Sequence, residues 1–93
     1  VLHVVAWEDP LLVADSYNHK IKIVDPKTRE AKTFLGDGQR GTTDGDKARF
    51  NEPGGLSIAA GNLFVADTNN HVIRVVDLKS KQVRTLAITG LAR

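Results

Sequence analysis

The sequence contains no cysteine and no methionine, and aromatic residues make up only 5% of it. Without cysteine, the chain has no disulfide framework, no thiol nucleophile and no thiolate zinc site, although the redox compartment stays open. Because methionine is absent, we expect the chain to be a piece of a longer protein or a processed product. No apolar run approaches the ~20 residues of a membrane-spanning helix. We therefore expect a soluble protein with no membrane partner.

The charge is balanced rather than strongly of one sign. Thirteen Lys and Arg residues face eleven Asp and Glu, which gives a net charge of +2. Nucleic-acid-binding domains more often carry a clustered basic excess, so this balance does not favour that class. With 93 residues, the chain is long enough for one ordinary domain.

An internal repeat is the strongest signal. Residues 11–25 read LLVADSYNHKIKIVD and residues 63–77 read LFVADTNNHVIRVVD, and nine of the fifteen positions are identical at an offset of 52. Repeats spaced by roughly 20–50 residues indicate solenoids, propellers or arrays.

Each copy reads as four short strands joined by turns, without a sustained helical period. The strands are expected at 2–8, 10–16, 19–26 and 30–36 in the first copy, and at 55–59, 63–66, 72–76 and 82–86 in the second. Such a four-stranded antiparallel meander is the blade of a β-propeller. The predicted fold is all-β, with a first blade at 1–37, an interblade connection at 38–53 and a second blade at 54–93.

The stretch GDGQRG at 36–41 matches the glycine pattern of a dinucleotide-binding loop. No helical pattern follows it, and the fingerprint requires a helix at that point. We therefore interpret the glycines as residues that let the interblade connection turn at positive φ.

The phrases VADSYNHKI and VADTNNHVI resemble the NHL repeat, and DGQRGTTDGDKARFNEPGGL is similar to the stretch that opens a new NHL blade. The resemblance implies an NHL-type β-propeller, with six blades in a complete ring. It extends to a group with plant and bacterial members, in which the propeller is joined to a thioredoxin-like domain. Val1-Leu2-His3 stands where the second copy has Pro53-Gly54-Gly55, so the start of the first blade is truncated or altered.

Two blades cannot close a ring, and their bare sides would expose more apolar surface than a soluble monomer normally tolerates. We therefore expect further blades, supplied by the same parent chain or by symmetry copies. Three copies would close a six-bladed homotrimer with a heterologous interface.

The repeated polar residues are interpreted as fold requirements: Asp15, Asn18, His19, Asp67, Asn70 and His71. Each His is expected to bond the Asp of its own copy, each Asp to lock its hairpin, and each Asn to take the left-handed turn position. The alternatives are a metal-binding pair of histidines facing a channel and a carboxylate pair for acid–base chemistry. We predict no catalytic, cofactor-binding or metal-binding residue. Asp37, Asp44 and Asp46 lack the spacing of an EF-hand, so their loop is read as a solvated connection.

The predicted function is that of a non-catalytic protein-interaction scaffold, because recognition residues in rigid folds lie on loops. The candidate contact residues are Tyr17, Arg40, Lys47, Arg49 and Asn69. The first alternative, ranked below protein binding, is RNA binding with Trp7 and Tyr17 as stacking platforms. The second is a propeller enzyme with a channel-bound metal, for which the first strand offers His3 and Glu8.

Overall fold

The computed structural model describes residues 2–86, which form two four-stranded antiparallel sheets. The first sheet contains β1 (Leu2–Ala6), β2 (Leu11–Asp15), β3 (Lys20–Val24) and β4 (Ala31–Leu35). The second sheet contains β5 (Pro53–Ala59), β6 (Asn62–Asp67), β7 (Val72–Asp77) and β8 (Val83–Leu86). In both sheets the strands are ordered as they follow in the chain. The predicted all-β fold class is confirmed. Within residues 2–86, no helix has the length and hydrophobicity needed to cross a membrane.

The two sheets share one pairing register. Leu11 pairs with Val24 across β2 and β3, and Leu63 pairs with Val76 across β6 and β7. These pairs differ by the repeat offset of 52. Because side chains alternate between the two faces of a strand, equal registers place equivalent residues on equivalent faces.

The outer hairpins close in the same way in both sheets. The Asp25 carboxylate accepts backbone N–H bonds from Lys27 and Thr28, and the Asp77 carboxylate accepts them from Lys79 and Ser80. An Asp side chain that bonds the backbone two residues on is a turn-forming arrangement. The sequence prediction of a turn after each third strand is therefore confirmed.

A 3-10 turn joins the two central strands of each sheet, at Ser16–Asn18 and Thr68–Asn70. The residue in the left-handed region is His19 in the first turn and His71 in the second, each at φ 57°. The prediction that Asn18 and Asn70 take this conformation is therefore wrong. Each asparagine instead belongs to the 3-10 turn, from which its side-chain amide donates a hydrogen bond to the carboxylate of the preceding Asp.

The hydrophobic core lies between the two sheets. Leu12, Ala14 and Ile21 of the first sheet are fully buried in one cluster with Leu63 and Val65 of the second. The interblade connection adds Ala48 and Phe50 to this cluster. The junction between the sheets is therefore packed like the interior of a single domain.

Each sheet has two unlike faces. The Arg74 face of the second sheet is turned toward the first sheet and consists of Leu63, Val65, Asp67, Arg74 and Val76. Its repeat equivalent is the Lys22 face of the first sheet, which consists of Leu11, Val13, Asp15, Lys22 and Val24. The Arg74 face is buried, whereas the Lys22 face is half-buried. Beside it, Leu2 and Val4 on β1 are 64% and 50% exposed.

The opening strands of the two sheets differ. β1 pairs regularly with β2, whereas β5 shifts register against β6 between Pro53 and Leu56. The shift falls where the second copy has two adjacent glycines. A Cβ on Gly54 would lie 2.9 Å from Thr68 Oγ1, so the chain approaches the 3-10 turn as closely as only glycine permits.

Two of the three glycines of GDGQRG have the expected positive φ, and Gly41 does not. Gly36 and Gly38 have φ values of 98° and 88°, and no helix follows Gly41 in the described connection. A Cβ on Gly36 would also lie 2.7 Å from the His19 carbonyl oxygen. Both its conformation and its surroundings therefore require glycine.

Candidate interaction surface formed by the interblade connection

The interblade connection leaves β4 after Leu35 and enters β5 at Pro53. Gly45 exchanges two backbone hydrogen bonds with Val83 of β8, and the Gly41 N–H donates to the Phe50 carbonyl. The connection therefore lies along the outer edge of the second sheet and folds back on itself. At Val83, the backbone of the outermost strand β8 is therefore hydrogen-bonded instead of forming an unpaired sheet edge.

Arg74 holds the connection in place. Its guanidinium is fully buried and donates to the carbonyl oxygens of Arg49 and Thr43, at 2.6 and 2.7 Å. It also pairs with the carboxylates of Asp67 at 2.9 Å and Asp44 at 2.8 Å. The planar fork of arginine can serve several acceptors at once, which a lysine ammonium cannot match in geometry.

The Asp67 carboxylate is the second anchor and is also fully buried. Its Oδ1 accepts the Asn51 N–H at 2.7 Å, and its Oδ2 accepts the Asn70 amide at 2.7 Å. The same Asn70 amide donates to the Gly41 carbonyl at 2.8 Å. Both ends of the connection are thus tied to one buried ion pair.

The Phe50 ring packs beneath this ion pair. It is fully buried, and the Arg74 guanidinium carbon lies 5.1 Å from its centroid. A guanidinium over an aromatic face is attracted by the ring quadrupole. Arg74 Nε is the one donor here that is buried without a hydrogen-bond partner among the described residues.

Two residues of this centre do more than the sequence predicts. A charged residue on a strand is ordinarily exposed, but Arg74 is fully buried. Asp67 bonds Asn70 of its own turn, and it also bonds Arg74 and the backbone of Asn51, sixteen residues away. One signal could have revealed the pair: an Asp followed seven residues later by a cation occurs in both copies, as Asp15 with Lys22 and Asp67 with Arg74.

Two histidines of the first copy bond backbone that follows later in the chain. His19 Nδ1 accepts the N–H of Glu52, at the end of the connection, at 3.0 Å, and His3 Nδ1 accepts the N–H of Leu56 in β5 at 3.2 Å. Beside them, the Ser16 hydroxyl donates to the Pro53 carbonyl at 2.7 Å. The expected bond between His19 and Asp15 is therefore wrong, because the imidazole bonds the interblade connection instead.

The metal alternative concerns side chains that would have to lie close together. Within residues 2–86, no three His, Cys, Asp or Glu side chains are grouped closely enough to hold a metal ion. His3 is used at the junction between the sheets, and Glu8 lies in the β1–β2 turn at φ 56°.

The predicted contact residues are distributed over two regions. Tyr17 and Asn69 lie on the two 3-10 turns, and the Tyr17 side chain is 72% exposed. Arg40 and Lys47 are exposed on the connection. Trp7, a proposed RNA platform, is half-buried and packs on Phe34 with ring centroids 5.9 Å apart. Arg40 and Lys47 thus lie on one loop, whereas Trp7 is already in contact with Phe34.

Arg49 is engaged within the connection. Its guanidinium lies 2.8 Å from the Asp37 carboxylate. The hydrogen bond from Arg49 lowers the pKa of Asp37 below its usual value, and a backbone bond from Gln39 acts in the same direction. Because a lowered pKa favours the folded state only while the carboxyl is ionised, this contribution is present at neutral pH and is lost as the pH falls below about 4.

The repeat offers a matched test of the His19 bond. Replacing His19 by alanine leaves the half-buried Glu52 N–H without its acceptor, which should cost about 1–3 kcal/mol of unfolding free energy. Alanine tolerates the left-handed conformation less well than histidine does, which adds a smaller cost of about 1 kcal/mol or less. His71→Ala carries only this second cost, because among residues 2–86 no backbone N–H bonds the His71 side chain.

Urea denaturation followed by circular dichroism measures the difference. His19→Asn should be close to the wild type, since asparagine tolerates the left-handed region and its side-chain oxygen can accept the same N–H. Equal destabilisation by His19→Ala and His71→Ala would contradict the assigned bond.

The two sheets, their common register and the connection between them define a class of protein: successive blades of a β-propeller. The NHL repeat model matches residues 50–76, which run from the end of the connection through β7. Residues 50–76 therefore match the NHL repeat, as the sequence resemblance implied, and the two sheets have the form of propeller blades.

Curated proteins from animals and a plant are similar to this chain over nearly its whole length. The chain is 49% identical over 92 residues to NHL repeat-containing protein 2 of Homo sapiens, an alignment that covers 90% of this chain and 13% of that protein. It is 45% identical over 92 residues to Protein SUPPRESSOR OF QUENCHING 1, chloroplastic, of Arabidopsis thaliana, with 92% of this chain and 9% of that protein covered. The chain thus spans a small fraction of the length of these relatives.

One solved structure with a similar fold is described as an auxiliary nutrient binding protein from Bacteroides thetaiotaomicron. Its TM-score is 0.74 at 21% sequence identity, over 92% of this chain and 25% of that one. At this identity the similarity concerns the fold alone.

Proposed function

We propose that these two blades form a non-catalytic protein-interaction scaffold, with the interblade connection as the contact surface. The supporting observation is how firmly the connection is held. Arg74 and Asp67 fix its backbone from beneath, while Arg40 and Lys47 remain exposed on its outer side. A loop that is already ordered loses little conformational entropy when a partner binds.

Charge favours a protein partner over RNA. Between Leu35 and Pro53 the connection carries Arg40, Lys47 and Arg49, but also Asp37, Asp44, Asp46 and Glu52, so its formal net charge is −1. Arg49 is additionally paired with Asp37. Binding to a nucleic-acid backbone depends on an uncompensated basic surface, and this loop does not provide one.

The test compares two surface variants of the full-length protein in cells. Arg40→Ser/Lys47→Ser removes the exposed cations of the connection, and Lys27→Ser/Arg29→Ser removes two exposed cations from the β3–β4 turn as a matched control. We expect affinity purification with quantitative mass spectrometry to show proteins lost only from the connection variant, also after nuclease treatment. If both variants retain the same proteins, the proposal fails. If the loss disappears on nuclease treatment, RNA is the partner.

We also propose that further blades cover the outer sides of this pair, either from the parent chain or from symmetry copies. The exposure of Leu2 and Val4 on β1 supports this, since large exposed apolar residues in a strand favour burial against a partner.

A further inference from the structure

Aspartate is followed by glycine at two places in the interblade connection, as Asp37-Gly38 and as Asp44-Gly45. Such a pair can rearrange without an enzyme. The backbone nitrogen of the glycine bonds to Cγ of the aspartate, its proton and the carboxyl hydroxyl leave as water, and the ring that closes is a succinimide. Glycine favours this step because it has no Cβ to hinder the approach of its nitrogen.

The succinimide is then opened by water at one of its two carbonyls. Opening at one carbonyl restores aspartate. Opening at the other gives isoaspartate, in which the main chain passes through Cβ and Cγ of the former side chain. One water leaves and one water enters, so the rearrangement needs no other reactant. Which of the two pairs reacts is therefore decided by the structure around each of them.

The two pairs differ at the attacking nitrogen and not in exposure. The side chains of Asp37 and Asp44 are each 48% exposed, so water reaches both. The Gly45 N–H, however, donates to the Val83 carbonyl of β8 at 2.8 Å, whereas among the described residues no acceptor bonds the Gly38 N–H. The nitrogen has to lose its proton and turn toward Cγ. Gly45 must first break a bond at the sheet edge, and Gly38 need not.

The carboxylate of Asp44 is also held away from the reaction. Its Oδ1 accepts from the Arg74 guanidinium at 2.8 Å and from the Thr85 hydroxyl at 2.9 Å. The Arg74 side chain is fully buried and anchored to the backbone of the connection. The carboxylate of Asp44 is thus fixed on a donor that itself cannot move far.

The carboxylate of Asp37 is held in a different way. Its partner Arg49 is 38% exposed, and an ion pair between exposed side chains contributes little and opens readily. Asp37 Oδ1 also accepts the Gln39 N–H at 3.0 Å. This bond spans the intervening Gly38 and folds the carboxylate back over the backbone that carries the Gly38 nitrogen.

We propose that Asp37-Gly38 is a site of spontaneous isoaspartate formation in the folded protein, and that the fold protects Asp44-Gly45 from the same reaction. The inference goes beyond the scaffold function and does not depend on it. Isoaspartate at position 37 lengthens the main chain by one carbon and moves the carboxylate relative to Arg49. Gly36 and Gly38 hold positive φ on either side, so the modification alters the turn by which the chain leaves β4.

The test follows both pairs in one sample of the full-length protein. The folded protein is incubated for several weeks at mildly acidic pH, and a second portion is incubated in urea. Trypsin cuts after Lys32, Arg40 and Lys47, so the two pairs fall in separate peptides. Chromatography separates the isoaspartyl form of each peptide from the aspartyl form, and electron-transfer fragmentation identifies the modified position.

In the folded protein, isoaspartate should form at position 37 about tenfold faster than at position 44 or more, because each hydrogen bond that has to break first raises the barrier. In urea the two rates should be similar, since the reacting residues are the same. Asp37→Glu should abolish the modified product of its peptide, because the longer side chain closes a less favourable six-membered ring.

Arg49→Gln tests the part that the exposed ion pair plays. Arg49 lowers the pKa of Asp37 and so disfavours the protonated carboxyl, which is the form that loses hydroxyl as water. The change should therefore accelerate the reaction at Asp37 about twofold to fivefold and leave Asp44 unaffected.

Similar rates at Asp37 and Asp44 in the folded protein overturn the proposal, whether both pairs react or both are protected. Equal acceleration of the two sites by Arg49→Gln also contradicts it, because the whole connection would then have loosened. The scaffold test is separate from these outcomes, since it measures the loss of partner proteins from a variant of Arg40 and Lys47.

Discussion

Arg74→Ala is expected to destabilise the protein by about 3–5 kcal/mol, the cost of leaving a buried charge without its partner. The change removes the only cation that reaches the fully buried Asp67 carboxylate among the described residues. It also deprives the Thr43 and Arg49 carbonyls of their donor. Urea denaturation followed by circular dichroism measures the effect.

Lys22→Ala is the matched control, since Lys22 is the repeat equivalent of Arg74 and is paired at a half-exposed site. Its cost should be about 0–1 kcal/mol, as for other surface ion pairs. If Arg74→Ala leaves too little folded protein for a denaturation curve, Arg74→Lys provides an intermediate, because it keeps the charge and loses the fork. Similar effects of Arg74→Ala and Lys22→Ala would contradict the role assigned to Arg74.

The double variant Asp67→Leu/Arg74→Leu separates the ion pair from the connection that it holds. Where the two charged groups of a buried pair bond only each other, replacing both by apolar residues often leaves the stability unchanged. Here the double change leaves the Asn51 N–H and the carbonyls of the connection without partners. We therefore expect it to remain clearly destabilised, with faster hydrogen exchange at Asn51.

Phe50→Ala carries the second large effect, about 3–5 kcal/mol, as is usual for truncation of a fully buried phenylalanine. The change leaves a cavity in the core between the sheets and removes the ring on which the Arg74 guanidinium lies. The same denaturation experiment measures it. Phe50→Leu should cost less, because it retains most of the buried volume.

Tyr17→Ala is the control for Phe50, because Tyr17 is the most exposed large apolar side chain of the described residues. Its effect should remain within about 0.5 kcal/mol. A small effect of Phe50→Ala would show that the connection contributes little to the core.

The strands and their pairing could be predicted from the sequence because they depend on local patterns. The β-branched runs predict the strands, and the segments that begin with an Asp predict the turns. These patterns involve residues that lie close together in the chain, and the repeat shows that they occur twice. Gly36 and Gly38 were likewise read correctly as residues of positive φ.

The centre of the connection could not be predicted in the same way. Arg74 finds its partners 25 to 32 residues away in a segment without regular structure. A charged residue on a strand is ordinarily exposed, so the residue type gives no sign that Arg74 is buried. His19 shows the same limit, since its partner Glu52 lies 33 residues away at the end of the connection. The contact residues and the blade boundaries at 1–37, 38–53 and 54–93 stay predictions.

Because the two faces of each sheet differ, the two outer sides of this pair of sheets are not equivalent. A two-fold dimer formed through the Lys22 face would set this face against a second Lys22 face. That surface is a sheet and does not present the loop carbonyls that Arg74 binds in the connection. An isologous pairing of this kind gains nothing from the complementarity that joins the two sheets. Further blades should therefore add to this pair in one orientation, each with the same face turned toward its neighbour as in the two sheets described.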